Sequence, residues 1–200
     1  MMKPQKIPYI TIALSMLTIA CSLYVNFLIS GTLFGKITYF ELEPYGGITF
    51  EHLWELELWR LFVAQLIHFK QSHMFFNVLS LFLLGLLLEK YLGGIRFFVL
   101  WFVSGACGTL VATLTVEPPW NLGTGASQAV MGVAAFAGVL LWKKVNTTLR
   151  LKIVMGFAVL PALIIDLIYA HHPKLGHIVG FVTGWAIGVM FLHKLKINQK

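Results

Sequence analysis

Residues 72–116 read SHMFFNVLSLFLLGLLLEKYLGGIRFFVLWFVSGACGTLVATLTV, two long apolar runs parted by a short charged turn around Glu89, Lys90 and Arg96. Each run reads as a helix, over 72–89 and 95–116, close to the roughly 20 residues needed to cross about 30 Å of hydrocarbon. Outward from this pair, apolar runs broken by charges and turn residues give further helices at about 8–30, 126–142, 149–170 and 177–193. The chain therefore reads as a single domain over 1–200, an all-α membrane protein with six transmembrane helices. The fourth and sixth runs are short for a span. The stretch from Ile7 to Ile29 follows Lys3 and Lys6 and is long enough to cross a bilayer, with no clear A-x-A-like cleavage site after it. It reads as a retained helix, not a signal peptide.

Composition supports the same class. Hydrophobic residues make up 58% of the chain and charged residues 12%, against roughly 25% charged in a soluble domain. The mean hydropathy is +0.81. One soluble core of this size would leave too much apolar surface facing water. The net charge of +7 does not point to nucleic acid, because no basic stripe with interleaved aromatics and no nucleic-acid motif accompanies it. Cys21 and Cys107 lie inside apolar runs and form neither a disulfide framework nor a metal-ligand spacing.

The segment 31–71 mixes Glu41, Glu43, Glu51, Glu55 and Glu57 with Phe50, Trp54, Trp59 and Phe62. It is too charged to span and too aromatic for a free linker, so it reads as amphipathic pieces at the membrane interface. With the N-terminus inside, the inner segments hold 11 of the 15 Lys and Arg residues and the outer ones 4, namely Lys36, Arg60, Lys70 and Lys174. The positive-inside rule then places both termini in the cytoplasm.

Polar groups inside spans are costly, which makes them functional candidates. The second, fourth and sixth helices run from outside to inside, and each ends in a lysine. His73 lies 17 residues above Lys90, Ser127 lies 16 above Lys143, and His177 lies 17 above Lys194. At 1.5 Å per residue, each sits about 24–26 Å above its anchor. A serine and two histidines thus share one layer beneath the outer surface.

Ser127 stands in Gly123-Thr-Gly-Ala-Ser-Gln-Ala-Val-Met-Gly132, at a helix start after a glycine-bearing turn. Free N–H donors at such a start suit an oxyanion, so a nucleophile is one reading and a small-residue packing motif the other. His177 opens Gly176-His-Ile-Val-Gly-Phe-Val-Thr-Gly184, whose Gly180 and Gly184 form a G-x-x-x-G face. That face offers close helix contact and brings an imidazole within reach of the serine. His73 and Asn77, four residues apart, share a helical face and both donate hydrogen bonds, which suits an oxyanion hole or a structural pair holding loop backbone. His68 lies outside the helix and reads as a loop residue. No acidic or cysteine ligand completes a zinc pattern with His68, His73 and His177, so no metal and no other cofactor is expected.

Taken in order, these motifs resemble those of the rhomboid family of intramembrane serine proteases, in its compact bacterial form with six transmembrane helices. They are Trp59-Arg60 in the outer loop, then His68, His73 and Asn77, then Gly125-Ala-Ser127, then His177 with Gly180 and Gly184. The turn Gly85-Leu-Leu-Leu-Glu89-Lys-Tyr-Leu-Gly93 resembles the one after the family's second helix. The resemblance implies a rhomboid bundle with an interfacial first outer loop, and a Ser127–His177 dyad cleaving transmembrane segments of single-pass or polytopic membrane proteins. It implies an oxyanion hole from His73, Asn77 and the Ser127 N–H, a loop anchored by Trp59 and Arg60, and a fifth helix acting as substrate gate. A preference for small residues at the cut site, with helix-breaking residues beyond it, follows from the resemblance alone.

Two positions depart from the family pattern: Gln128 stands where glycine is usual, and Met131 where an aromatic often lies beneath the base. Both are candidate modulators of the site. Asp166, 14 residues above Lys152 on the fifth helix, reaches a similar depth. It reads as a polar contact near the outer end, with the third place in a Ser–His–Asp triad as the other reading. Pro161 on the same helix is a point of bending. The competing functions are a catalytically silent rhomboid-like protein that binds membrane segments, and a small transporter or channel subunit, for which no repeated halves speak. Expected partners are membrane-protein substrates and lipids, with no nucleic acid and with the oligomeric state open. The compact chain, without an extra domain or organelle signal, points to a bacterial plasma membrane with the site opening outward.

Overall fold

The computed structural model describes residues 7–118, 120–170 and 174–197. The first apolar run forms α1 (Tyr9–Ser30), closed by Gly31 in the left-handed region at φ 75°, whose N–H donates to the Phe27 carbonyl at 2.9 Å. The outer segment that follows holds a 3-10 helix (Phe40–Tyr45) and two short helices, α2 (Phe50–Trp54) and α3 (Arg60–Val63). Then come α4 (Gln71–Leu92), α5 (Gly94–Thr115), α6 (Ser127–Trp142), α7 (Leu149–Ala170) and α8 (Leu175–Ile197). Five of these, α1, α4, α5, α7 and α8, are long and apolar enough to cross a membrane. The protein is an integral membrane protein.

The fourth apolar helix in chain order, α6, has 16 residues and spans about 24 Å at 1.5 Å per residue. It stands at the centre, with nearly every side chain from Ala129 to Leu140 fully buried. Being walled by protein lets it be shorter than a full span, because irregular backbone at its start can be shielded by protein. The last helix differs from its sequence reading: α8 runs on to Ile197 and is not short. Leu and Lys favour helix, so the chain continues beyond the apolar run. The basic residues Lys3, Lys6 and Lys200 counted toward orientation lie outside the described residues.

Close packing fixes the arrangement. α1 lies on α4, α7 on α4 and α6, and α8 on α5 and α6. Glu89, buried near the end of α4, accepts hydrogen bonds from the Thr11 N–H (2.8 Å), the Thr11 hydroxyl (2.6 Å) and the Ile10 N–H (3.2 Å). An anionic side chain thereby satisfies donors that the first turn of α1 cannot use internally. At the end of α6, the Lys143 ammonium sits 3.6 Å from the Trp142 ring centroid, an aromatic–cation pair of the kind found at membrane interfaces.

The outer segment is tied down from below. Arg60, 8% exposed, donates to the carbonyls of Glu43 (2.6 Å) and Gly47 (2.8 Å) and pairs with Glu57. A guanidinium can hold three partners in one plane, so this side chain gathers the 3-10 helix and the strand-like turn after it. Trp59 is half exposed and stacks its ring on that guanidinium, with the Arg60 Cζ 4.7 Å from its centroid. Ile48 and Gly123 exchange backbone hydrogen bonds of 3.1 and 2.6 Å. That bridge joins the outer segment to the turn leading into α6.

Candidate active site

Ser127 is the first residue of α6, and the turn before it depends on Gly125. That glycine has φ +91°, which L side chains rarely adopt, and a Cβ there would stand 3.2 Å from His73 Cε1 and 3.4 Å from His68 Cδ2. Its N–H donates to the Ala64 carbonyl at 2.7 Å, and the next N–H, of Ala126, donates to His68 Nε2 at 3.2 Å. Asn77 Nδ2 also donates to His68 Nε2, at 3.1 Å. A ring nitrogen that accepts carries no proton, so the His68 proton is on Nδ1, which donates to the Ser22 hydroxyl at 3.0 Å. Ser22 in turn donates to the Leu66 carbonyl at 2.8 Å.

His68 is thus a neutral hub linking α1, α4 and the turn before α6. Burial first, and then neighbouring His73, hold its pKa well below the ordinary histidine value. His68 stands in the loop between α3 and α4. The rings of His68 and His73 meet edge to face, 5.2 Å between centroids.

His177 reaches Ser127 because α8 lies backbone to backbone on α6. A Cβ on Gly180 would collide with the carbonyl of Gln128, and one on Gly184 with the backbone of Gly132. Removing those side chains lets the helices approach at the distance seen in small-x-x-x-small contacts. One turn before Gly180, His177 Nε2 lies 2.9 Å from Ser127 Oγ. Both residues are buried.

On its other edge, His177 Nδ1 lies 2.6 Å from Asp166 Oδ2. The backbone N–H of Lys174 donates to that same oxygen at 3.0 Å, and the Lys174 ammonium is 3.8 Å from Oδ1. Sequence reasoning counted Lys174 only as an outer-loop charge. No helical periodicity links it to Asp166, since Asp166 lies on α7 and Lys174 lies outside that helix, just before α8.

A cavity of about 450 Å³ opens over the serine, lined among others by His73, Asn77, Ser127, Gln128, Asp166 and His177. Met131, buried beneath, also contributes. Tyr39 and Trp120 border it from the outer segment and the turn before α6. Burial pushes the Tyr39 hydroxyl up to about 12, against the opposing effect of a hydrogen bond with Thr124. Sequence reading did not find Tyr39, one of many aromatics in that segment. The Gln128 side chain projects toward Ser127, whose Oγ donates to Gln128 Oε1 at 3.2 Å. Its Cβ and Cγ cover Gly108 of α5, lying 2.7 and 2.9 Å from where a Cβ on that glycine would be.

The constellation is thus a hydroxyl at a helix N-terminus, an imidazole in hydrogen-bond contact with it, and a carboxylate behind the imidazole. His73 and Asn77 flank the cavity, and one of the two amide N–H groups of Asn77 is taken by His68. Such a set has the parts needed for acyl transfer. Among the described residues no group of three or more His, Cys, Asp or Glu side chains is placed to hold a metal ion.

Comparison with known proteins covers most of this region. The family model of the Rhomboid domain matches residues 55–194. RHOMBOID-like protein 4 of Arabidopsis thaliana is 31% identical over 160 residues, covering 72% of this chain and 37% of the relative. Rhomboid-like protease 3 of Toxoplasma gondii is 31% identical over 136 residues, 66% of this chain and 51% of the relative. Inactive RHOMBOID-like protein 8 of Arabidopsis thaliana is 34% identical over 87 residues, 43% of this chain and 25% of the relative. The chain spans between a quarter and about half of the length of these relatives.

Proposed function

Because the chain belongs to the rhomboid family, which holds both proteases and inactive members, we propose that it is an intramembrane serine endopeptidase that cuts transmembrane segments of other membrane proteins. The observation that carries this reading is the 2.9 Å contact between His177 Nε2 and Ser127 Oγ at the N-terminus of a buried helix.

In the reaction, Ser127 Oγ bonds to the scissile carbonyl carbon while its proton passes to His177 Nε2. The carbonyl oxygen becomes an oxyanion that accepts from the Ser127 N–H, the free N–H of Asn77 and His73. Collapse of this intermediate breaks the C–N bond, and the proton on Nε2 goes to the leaving amine. Water then gives a proton to Nε2, attacks the acyl carbon and releases Ser127 with its hydrogen restored. Each oxyanion donor in such a site is worth about 10²–10³ in kcat.

In this reading the cavity faces the outer side, both termini are cytoplasmic, and the membrane is a plasma membrane. Water reaches the serine from above, past Tyr39 and Trp120. Arg60 and Trp59 steady the outer segment, and Glu89 fixes the inner end of α4 to α1. Gly125, Gly180 and Gly184 set the approach of the two reacting groups. α7, the least buried of the long apolar helices, is the side by which a substrate helix enters.

The second reading, a silent member that binds segments without cutting, is favoured by one contact. Gln128 Oε1 competes with His177 for the single proton of the Ser127 hydroxyl. Treating the detergent-solubilised protein with a fluorophosphonate probe separates the two. Labelling of the wild type, with none of Ser127→Ala or His177→Ala, is expected of the protease. A folded wild type that takes up no label leaves the silent reading.

A further inference from the structure

Among the described residues Asp166 is the one buried acidic side chain beside the site, and the dyad described above leaves it without a task. It is 1% exposed, and it faces Nδ1 of the same ring whose Nε2 faces the serine. A carboxylate can only accept, so the proton in this 2.6 Å contact belongs to Nδ1. A neutral imidazole protonated on Nδ1 has its lone pair on Nε2, pointed at Ser127 Oγ. Both carboxylate oxygens have a further partner on Lys174, which favours the anion and fixes its plane.

We propose that Asp166 is a positioning residue of this protein, completing a Ser127–His177–Asp166 triad that holds His177 in the tautomer and orientation needed to act as base. The proposal rests on the serine-protease reading. No proton transfer to Asp166 is involved: the Nδ1–H stays on the ring and the carboxylate stabilises the imidazolium while Nε2 holds the seryl proton. The other titratable and charged groups facing the cavity are His73 on α4, Tyr39 in the outer segment and Lys174 before α8. None of them is hydrogen-bonded to His177 through its side chain among the described residues.

The placement has a structural consequence. α7 rests on α4 and α6 and scarcely touches α8, so among the described residues the Asp166–His177 bond is the side-chain hydrogen bond joining α7 to α8. The base is held by the helix at which a substrate enters, and the triad is complete only with α7 seated.

The test compares wild type, Asp166→Asn, Asp166→Ala and Asp166→Glu in detergent, each checked for folding by size exclusion and thermal unfolding. Nitrogen-15 spectra of the His177 ring report its tautomer, and initial rates on a transmembrane substrate report kcat and KM. The expected result is an Nδ1–H tautomer in the wild type. In Asp166→Asn the amide donates to Nδ1 and turns the ring to the Nε2–H form, with kcat lowered about 10²-fold or more and KM little changed. Asp166→Glu recovers part of the loss. An unchanged tautomer in both Asp166→Asn and Asp166→Ala overturns the proposal whatever the rates are, and so does wild-type kcat in a folded Asp166→Asn. If the wild type neither labels nor cleaves, the protease reading falls, while the ring spectra still decide whether Asp166 sets the tautomer.

Discussion

Gln128 and Asn77 show how much a single side chain decides around the Ser127 hydroxyl. Gln128 places an acceptor 3.2 Å from that hydroxyl, competing with a base 2.9 Å away. Replacing it by glycine removes the competitor, so Gln128→Gly is expected to keep or raise the rate of fluorophosphonate labelling. A complete loss of labelling from folded protein would instead assign the amide an active part, for example as an oxyanion donor. The same substitution uncovers the glycine surface of α5 at Gly108, and thermal unfolding should register a loss of about 1 kcal/mol. In the proposed mechanism Asn77 has a different double part, with one amide N–H on His68 and the other offered to the oxyanion. Asn77→Ala is expected to lower kcat by about 10²-fold, measured on a transmembrane substrate with KM followed separately.

At the scale of elements, two contacts hold helices in place for unlike reasons. Glu89 fixes α4 to α1 through three charge-assisted hydrogen bonds in a buried setting. Glu89→Gln keeps the shape and loses the charge, so stability should fall by about 1–2 kcal/mol, read as a lower midpoint of thermal unfolding in detergent. α7 is held more lightly. Phe76 on α4 and Phe157 on α7 meet with ring centroids 5.2 Å apart, a pair worth about 0.5–1.5 kcal/mol. If α7 is the entry side, Phe157→Ala shifts the balance toward a displaced helix by about 2- to 10-fold. Cleavage of a membrane substrate should rise by a similar factor, while labelling by a small soluble probe changes little. Equal changes in both rates would argue against entry at α7.

For the molecule as a whole, one group outside the spans that resists protonation is His68. Its ring accepts two hydrogen bonds on Nε2 and is buried where α1, α4 and the turn before α6 meet. The folded state resists protonating it, whereas the unfolded chain takes the proton near pH 6.5. The stabilising effect is therefore complete above about pH 6.5 and is lost as pH falls toward the depressed folded value. Through that window, thermal stability should drop by about 1.4 kcal/mol per pH unit. His68→Gln should unfold at a lower temperature at neutral pH and show a flatter acid slope. A slope as steep as that of the wild type would move the acid sensitivity to another group.

The ordered motifs around Ser127 and His177 carried the resemblance to the rhomboid family, and the sequence by itself determined that this is an all-helical membrane protein. Apolar runs of span length carry that information locally, through hydrophobicity and chain rise, and need no knowledge of partners. It also brought Ser127, His73 and His177 to one depth, because depth along a helix is a matter of counting residues from an anchor. Direction around the helix axis and contacts across the bundle are not local quantities. The Gly180 and Gly184 face was legible as a means of bringing His177 near Ser127, whereas only the tertiary structure decided that His68 takes one amide N–H of Asn77 and that Glu89 meets Thr11. The same holds for Asp166, whose depth was countable while its direction was not. Whether it faced lipid or His177 was settled by how α7 packs on α4 and α6, and by the contacts of Lys174 with its carboxylate.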